Sequence, residues 1–120
     1  LITLTGDITP KEAIKYYQNA YCTLMPIHWE EPFGLVMAES LACGTHVIAY
    51  RRGSVPEIIE DGKTGFIVEE KDGIDGIVGA VKKVDQIDRF SCRQKVENQF
   101  TIEKMVDRYE KIYDTVINKI

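Results

Sequence analysis

Apolar residues along this chain follow two rhythms: short unbroken runs, and longer stretches in which they recur at three- and four-residue spacing. Unbroken runs suit strands buried on both faces, whereas the second spacing lines one face of a helix. Leu1 to Gly6, Cys22 to Pro26, His46 to Tyr50 and Phe66 to Val68 are the runs, and all four are predicted as strands, the first already under way at the first residue. Thr9, Pro10 and Glu12 combine an N-cap, a first-turn proline and a capping-box acid ahead of Ala13, Ile14, Tyr17 and Ala20, which predicts a helix over 10–20. Gly34 opens and Gly44 closes an almost wholly apolar helix, whose neighbours Leu35, Val36, Met37, Ala38, Leu41, Ala42 and Cys43 predict burial. Ser54, Pro56 and Glu57 read as a second capped helix start, and Asp61-Gly62 with Thr64-Gly65 as turns.

Beyond Val68, Ile74, Ile77, Val78 and Val81 mark one helix and residues 86–99 another. The last stripe, from Ile102 through Met105, Tyr109, Ile112 and Val116 to Ile120 with Thr101 as its cap, is the longest. So long a stripe needs a long partner surface, and part of it is expected to pack against a segment outside this chain. Strands alternating with helices predict an α/β fold: a Rossmann-like parallel sheet with helices on both faces and a long C-terminal amphipathic helix. In such sheets ligands lie beyond the carboxyl ends of the strands, where the loops 6–9, 26–33 and 51–54 fall.

With 120 residues, 44% of them hydrophobic, the chain has material for one domain spanning 1–120. A formal charge of −4 without a long cationic run argues against nucleic acid as a partner and against a broadly basic membrane-binding surface. Cys22, Cys43 and Cys92 form an odd set without CxxC spacing, which signals neither a disulfide framework nor a zinc site and suits reduced thiols in the cytoplasm. No apolar run approaches the roughly 20 residues that span a bilayer.

Candidate chemistry gathers in the stretch from Glu31 to Tyr50. Glu31 and Glu39 stand eight positions apart around Pro32-Phe33-Gly34. A helix start stripped of side chains by Gly34 leaves backbone N–H groups at the positive end of the helix dipole, a setting for phosphate or another anion. Glu39, carried into apolar surroundings, needs hydrogen-bond donors to offset its desolvation, and sugar or ribose hydroxyls are such donors. Taken singly each acid has a plain account: Glu31 as a surface acid at a helix N-terminus, worth about 0.3–1 kcal/mol, and Glu39 as a carboxylate that snorkels or pairs with Arg51 or Arg52. Their combination with Pro32, Phe33 and Gly34 on the binding rim favours a site.

Elsewhere the plain readings lead. Arg51 and Arg52 are expected as a solvated pair, with phosphate contact the lesser alternative, and Ser54 as a turn and cap. Lys63-Thr64 has Glu57 where a phosphate loop requires glycine. His28 and His46 lack further ligands at metal spacing, and Trp29 reads as loop cover more than as the wall of a sugar pocket. Neither G-x-G-x-x-G nor Asp-x-Asp occurs, so donor binding is expected to be metal-independent and without cofactor.

The string E-P-F-G-L-x-x-x-E, then A-C-G-T, then G-S-V-P-E-I-I-E-D-G-x-T-G-F, resembles the retaining family 4 glycosyltransferases. The resemblance is close over about residues 1–70 and looser in the helical tail. It implies the GT-B architecture of two Rossmann-like domains facing across a cleft, with this chain as a truncated C-terminal, nucleotide-sugar-binding domain. It further implies that Glu31 contacts donor-sugar hydroxyls and assists charge development at the anomeric carbon, that Glu39 holds the ribose diol, and that the amides of Phe33, Gly34 and Leu35 approach the sugar and diphosphate. The implied partners are a UDP- or GDP-hexose, an acceptor that is a glycan, a lipid or a small molecule, and an N-terminal half of the same enzyme. Without that half, and without the Arg and Lys that clamp the diphosphate in the family, the chain is expected to be inactive. A cytoplasmic place is implied, with association of the full-length protein with the inner membrane surface open. His46 departs from the family, which has proline there. A non-catalytic nucleotide- or sugar-binding module and a nucleotide-sugar epimerase are the competing readings; a response-regulator-like domain needs clustered aspartates, and only Asp7 stands near a strand end.

Overall fold

The computed structural model describes all residues, 1–120. Three strands, β1 (Thr23–Met25), β2 (Val47–Tyr50) and β3 (Gly65–Val68), form a parallel sheet in chain order. Thr23, Val47 and Gly65 lie in register, as do Leu24, Ile48 and Phe66. Gly65 is required there because any Cβ would overlap the backbone of Val47.

Helices α1 (Pro10–Asn19), α2 (Leu35–Ala42), α3 (Val55–Ile58), α4 (Gly73–Val81), α5 (Arg89–Gln99) and α6 (Ile102–Ile117) complete the fold, with 3₁₀ turns at Glu70–Asp72 and Val84–Gln86. Side chains alternate across β2, so the central strand feeds two cores. Val47 and Ala49 pack with Met37 and Leu41 of α2, Val55 and Ile58 of α3, Ile59 and Cys92 of α5. Ile48 and Tyr50 point the other way and meet Val68, Ile77 and Ala80 of α4, and Val84. The chain is α/β with helices on both faces of the sheet.

Helix ends obey their local chemistry. Thr9 Oγ1 accepts from the Glu12 amide at 3.3 Å while the Glu12 carboxylate accepts from the Thr9 amide at 2.8 Å, a reciprocal capping box. Gly44, at φ 75°, ends α2: its amide reaches the Leu41 carbonyl and that of Thr45 reaches Ser40, both at 2.9 Å, a Schellman closure. Thr101 caps α6 by accepting from Lys104, and Asp88 caps α5 by accepting from Phe90 at 2.9 Å, so α5 starts three residues after the expected Gln86.

Two expectations are corrected. Leu1–Gly6 is exposed, unpaired coil, since a strand needs a ladder partner and nothing in the sheet takes the outer edge of β1. Ser54 has helical φ/ψ, and its hydroxyl caps nothing in α3, because it is drawn across to the Phe33 carbonyl at 2.6 Å. The stripe of α6 has no partner within the chain: from Ile102 to Ile117 every apolar residue is exposed.

Candidate functional site

Parallel strands put the ends of β1, β2 and β3 on one rim, and the segments that leave them build it: Pro26 to Gly34, Arg51 to Ser54, and Glu69 to Glu70. Ion pairs tie the three together. Arg51 Nε meets Glu69 at 2.6 Å, Arg52 Nη1 meets Glu30 at 3.0 Å and Arg52 Nη2 pairs with Glu70, whose other oxygen takes His28 Nδ1 at 2.8 Å. Hydrogen bonds from Arg52 and Gly53 hold the Glu30 carboxyl below the usual carboxylate range, and those from His28 and then Arg52 do the same for Glu70. The two arginines are therefore paired to acids on neighbouring loops, where a solvated pair was expected.

Gly34 is the N-cap residue of α2, in the left-handed region at φ 80° and buried. Only glycine adopts this readily, and a Cβ would also press on the Met37 methyl and stand 3.2 Å from Glu31 Cγ. The amides of Gly34, Leu35 and Val36 make no hydrogen bond within the chain, and Gly34 supplies no capping side chain. Three donors thus stand free at the positive end of the helix. Glu31 is half-buried beside this corner and its Oε2 accepts from Trp29 Nε1 at 3.0 Å, a contact the sequence did not signal.

Glu39 is exposed, contrary to the expected burial. Helix α2 buries only one face, Met37, Ser40 and Leu41, because a helix against a sheet needs a single apolar stripe; Ala38 and Ala42 are half-buried, and Leu35 and Val36 face outward with Glu39. The Tyr17 hydroxyl donates to Glu39 Oε2 at 3.4 Å, and its own pKa is raised by burial first and by the Glu39 charge second. Phe33, Leu35 and Glu39 share a groove of about 500 Å³ whose far wall is Phe100, Met105 and Tyr109; Glu31 and Gly34 lie outside its lining. Phe33 meets Phe100 edge to face, 6.0 Å between centroids. No three His, Cys, Asp or Glu side chains come together as cation ligands.

With this geometry the chain matches the profile of "Glycosyl transferases group 1" across residues 2–99. It belongs to that family. The match spans both the rim and its supporting helices. Relatives include the N-acetyl-alpha-D-glucosaminyl L-malate synthase of Bacillus anthracis, 38% identical over 73% of this chain and 24% of that protein. A D-inositol 3-phosphate glycosyltransferase of Thermobifida fusca is 40% identical over 60% of the chain and 16% of its own length. Among solved structures, a sucrose-phosphate synthase from Thermosynechococcus elongatus superposes with a TM-score of 0.80 at 26% identity, covering 98% of this chain and 31% of that one. This group 1 glycosyltransferase chain therefore spans about a third or less of the relatives it matches.

His46, where proline was expected from the resemblance, is 2% exposed and neither ring nitrogen has a hydrogen-bond partner. Burial pushes its pKa down, with Asp88 opposing and Arg89 adding to the fall. It lies at the start of β2, the opposite end from the rim, and so belongs to the scaffold.

Proposed function

We propose that this chain forms the donor side of a retaining hexosyltransferase, which takes a hexose from a UDP- or GDP-sugar and acts with an acceptor-binding domain and with further strand-helix units of the donor domain that bring Arg and Lys to the diphosphate. The observation that carries this is the start of α2: a left-handed glycine, three unengaged amides and the Glu31 carboxylate at one corner of the strand-end rim. Donors arranged in advance can stabilise the leaving diphosphate without reorganising as charge develops. In this reading Glu31 accepts from hydroxyls of the donor sugar and offsets positive charge at the anomeric carbon, while Glu39, one helical face further on, accepts from the ribose diol. Exposure of Glu39 supports that role, since its oxygens are free except for the long contact from Tyr17.

Helix amides meet the diphosphate charge directly, which makes transfer independent of a divalent metal. Retention follows from attack on the face the diphosphate leaves, with the departing phosphate accepting the acceptor's proton. Alone, the chain has no second wall for the acceptor and turns nothing over. Glu31→Ala and Glu39→Ala, made in the complete enzyme and assayed with UDP-glucose and GDP-mannose, should each lower donor use at least tenfold; full activity of both variants, or wild-type activity abolished by EDTA and restored by a divalent cation, removes the reading.

A further inference from the structure

Residues 28–33 carry Glu31, yet the single backbone hydrogen bond they make comes from outside, from the Ser54 amide to the Glu31 carbonyl at 2.8 Å. Three more bonds come from the same short loop. The Ser54 hydroxyl donates to the Phe33 carbonyl at 2.6 Å, the Gly53 amide donates to Glu30 Oε2 at 2.5 Å, and Arg52 Nη1 donates to Glu30 Oε1 at 3.0 Å. Contact is close enough that a Cβ on Gly53 would overlap the Glu31 carbonyl oxygen and lie 2.5 Å from its amide nitrogen. Ser54 is 4% exposed, and the loop is anchored directly to β2, whose four residues are all buried. A turn whose backbone makes no internal hydrogen bond, and whose one internal contact is the Trp29 indole on the Glu31 carboxylate, thus takes its backbone course from a rigid neighbour that grips it on both sides of Glu31.

We propose that Ser54 and the Glu30–Arg52–Gly53 contacts are positioning elements of the transfer reaction, holding the Glu31 carboxylate in register. The inference rests on the proposed role of Glu31 at the donor sugar. It assigns to the G-S pair a task other than the turn and helix cap that the local sequence suggests. Ser54 touches no substrate; it acts through the backbone of Glu31 and Phe33. Misplacement of a reacting group by an ångström or less is enough to lower turnover strongly while leaving donor affinity, spread over many contacts, almost unchanged.

The test uses the complete enzyme, with UDP-glucose or GDP-mannose as donor according to which the wild type turns over. Ser54→Ala should lower kcat about ten- to a hundredfold with donor KM within about twofold, and Ser54→Thr should recover part of it. Glu30→Gln, an exposed change that leaves the core intact, should lower kcat in the same direction and serves where Ser54→Ala does not fold. Decisive is the pair of each variant with Glu31→Gln. If the clamp works through Glu31, adding Ser54→Ala or Glu30→Gln to Glu31→Gln costs nothing further, whereas a role in folding alone makes the losses multiply. Multiplying losses, or unchanged kcat in both single variants, overturn the inference and leave the role of Glu31 standing. Wild-type turnover in Glu31→Gln overturns both.

Discussion

Gly34 and Gly53 both sit in left-handed backbone, yet alanine should be far worse at 53 than at 34. Each substitution carries a similar backbone cost, about 1–2 kcal/mol for an L-residue in that region. At Gly34 the added methyl meets the tip of Met37, a flexible side chain, with Glu31 Cγ at 3.2 Å. Turning Met37 off its rotamer adds about 0.5–1.5 kcal/mol, for a total near 2–3. At Gly53 the obstacle is backbone: Glu31 N stands at 2.5 Å and Glu30 C at 2.9 Å. An ordinary contact of about 3.3 Å requires the acid turn to retreat by nearly an ångström. That retreat gives up the Ser54–Glu31, Ser54–Phe33 and Gly53–Glu30 hydrogen bonds, at about 1 kcal/mol each. Gly53→Ala should therefore cost about 4–5 kcal/mol and Gly34→Ala about 2 kcal/mol less, by these additions. Urea unfolding followed by far-ultraviolet circular dichroism measures both. Equal losses, or a larger loss at Gly34, would falsify the claim that the loop after β2 is built against the backbone of Glu31.

His46 should make the fold sensitive to mild acid. Its folded pKa lies below the unfolded value of about 6.5, so the unfolded chain binds the extra proton first and stability falls as pH drops from about 6.5, by at most about 1.4 kcal/mol per pH unit. His46→Gln should flatten the profile of unfolding free energy between about pH 6.5 and 5; an unchanged slope refutes it. Arg89→Ala removes donors to the carbonyls of Ala20 and Gln18 and to Thr45 Oγ1, and should cost about 1–2 kcal/mol by denaturant titration, with Arg89→Lys failing to restore the forked geometry. Ile58→Ala, in the core over β2, should cost about 2–4 kcal/mol, while Ile112→Ser on exposed α6 should change the chain's stability by less than about 0.5 kcal/mol. Comparable losses at Ile58 and Ile112 would mean that α6 packs on the domain in solution.

Elements governed by neighbours in sequence were legible. Thr9, Pro10 and Glu12 placed α1, Gly44 closed α2, Thr101 opened α6, and the apolar runs at β1, β2 and β3 became the parallel sheet. What failed depended on distant partners. Leu1–Gly6 has the composition of a strand, but pairing is a property of two segments. Ser54 has the composition of a cap, but the Phe33 carbonyl, 21 positions away, takes its hydroxyl. Glu39 reads as carried into apolar surroundings because the helix around it, Ser40 apart, is apolar, although only one stripe of α2 faces the sheet. The arginine pairing needed acids at 30, 69 and 70 that only the fold brings to one rim. The pairing of Glu31 with a bare helix start was visible as a motif, while the indole of Trp29 on its carboxylate was not.

Enclosure of Val47–Tyr50 on both faces and both edges has a kinetic corollary. Amide protons of that central strand should exchange with deuterium last, through opening of the whole domain, whereas residues 1–9 and α6 should exchange within the first sampling times. The corner that presents Glu31 is thus bolted to the slowest-opening part of the molecule, and a sugar nucleotide should slow deuterium uptake at the unbonded amides of Gly34, Leu35 and Val36 while leaving that of Val47–Tyr50 unchanged.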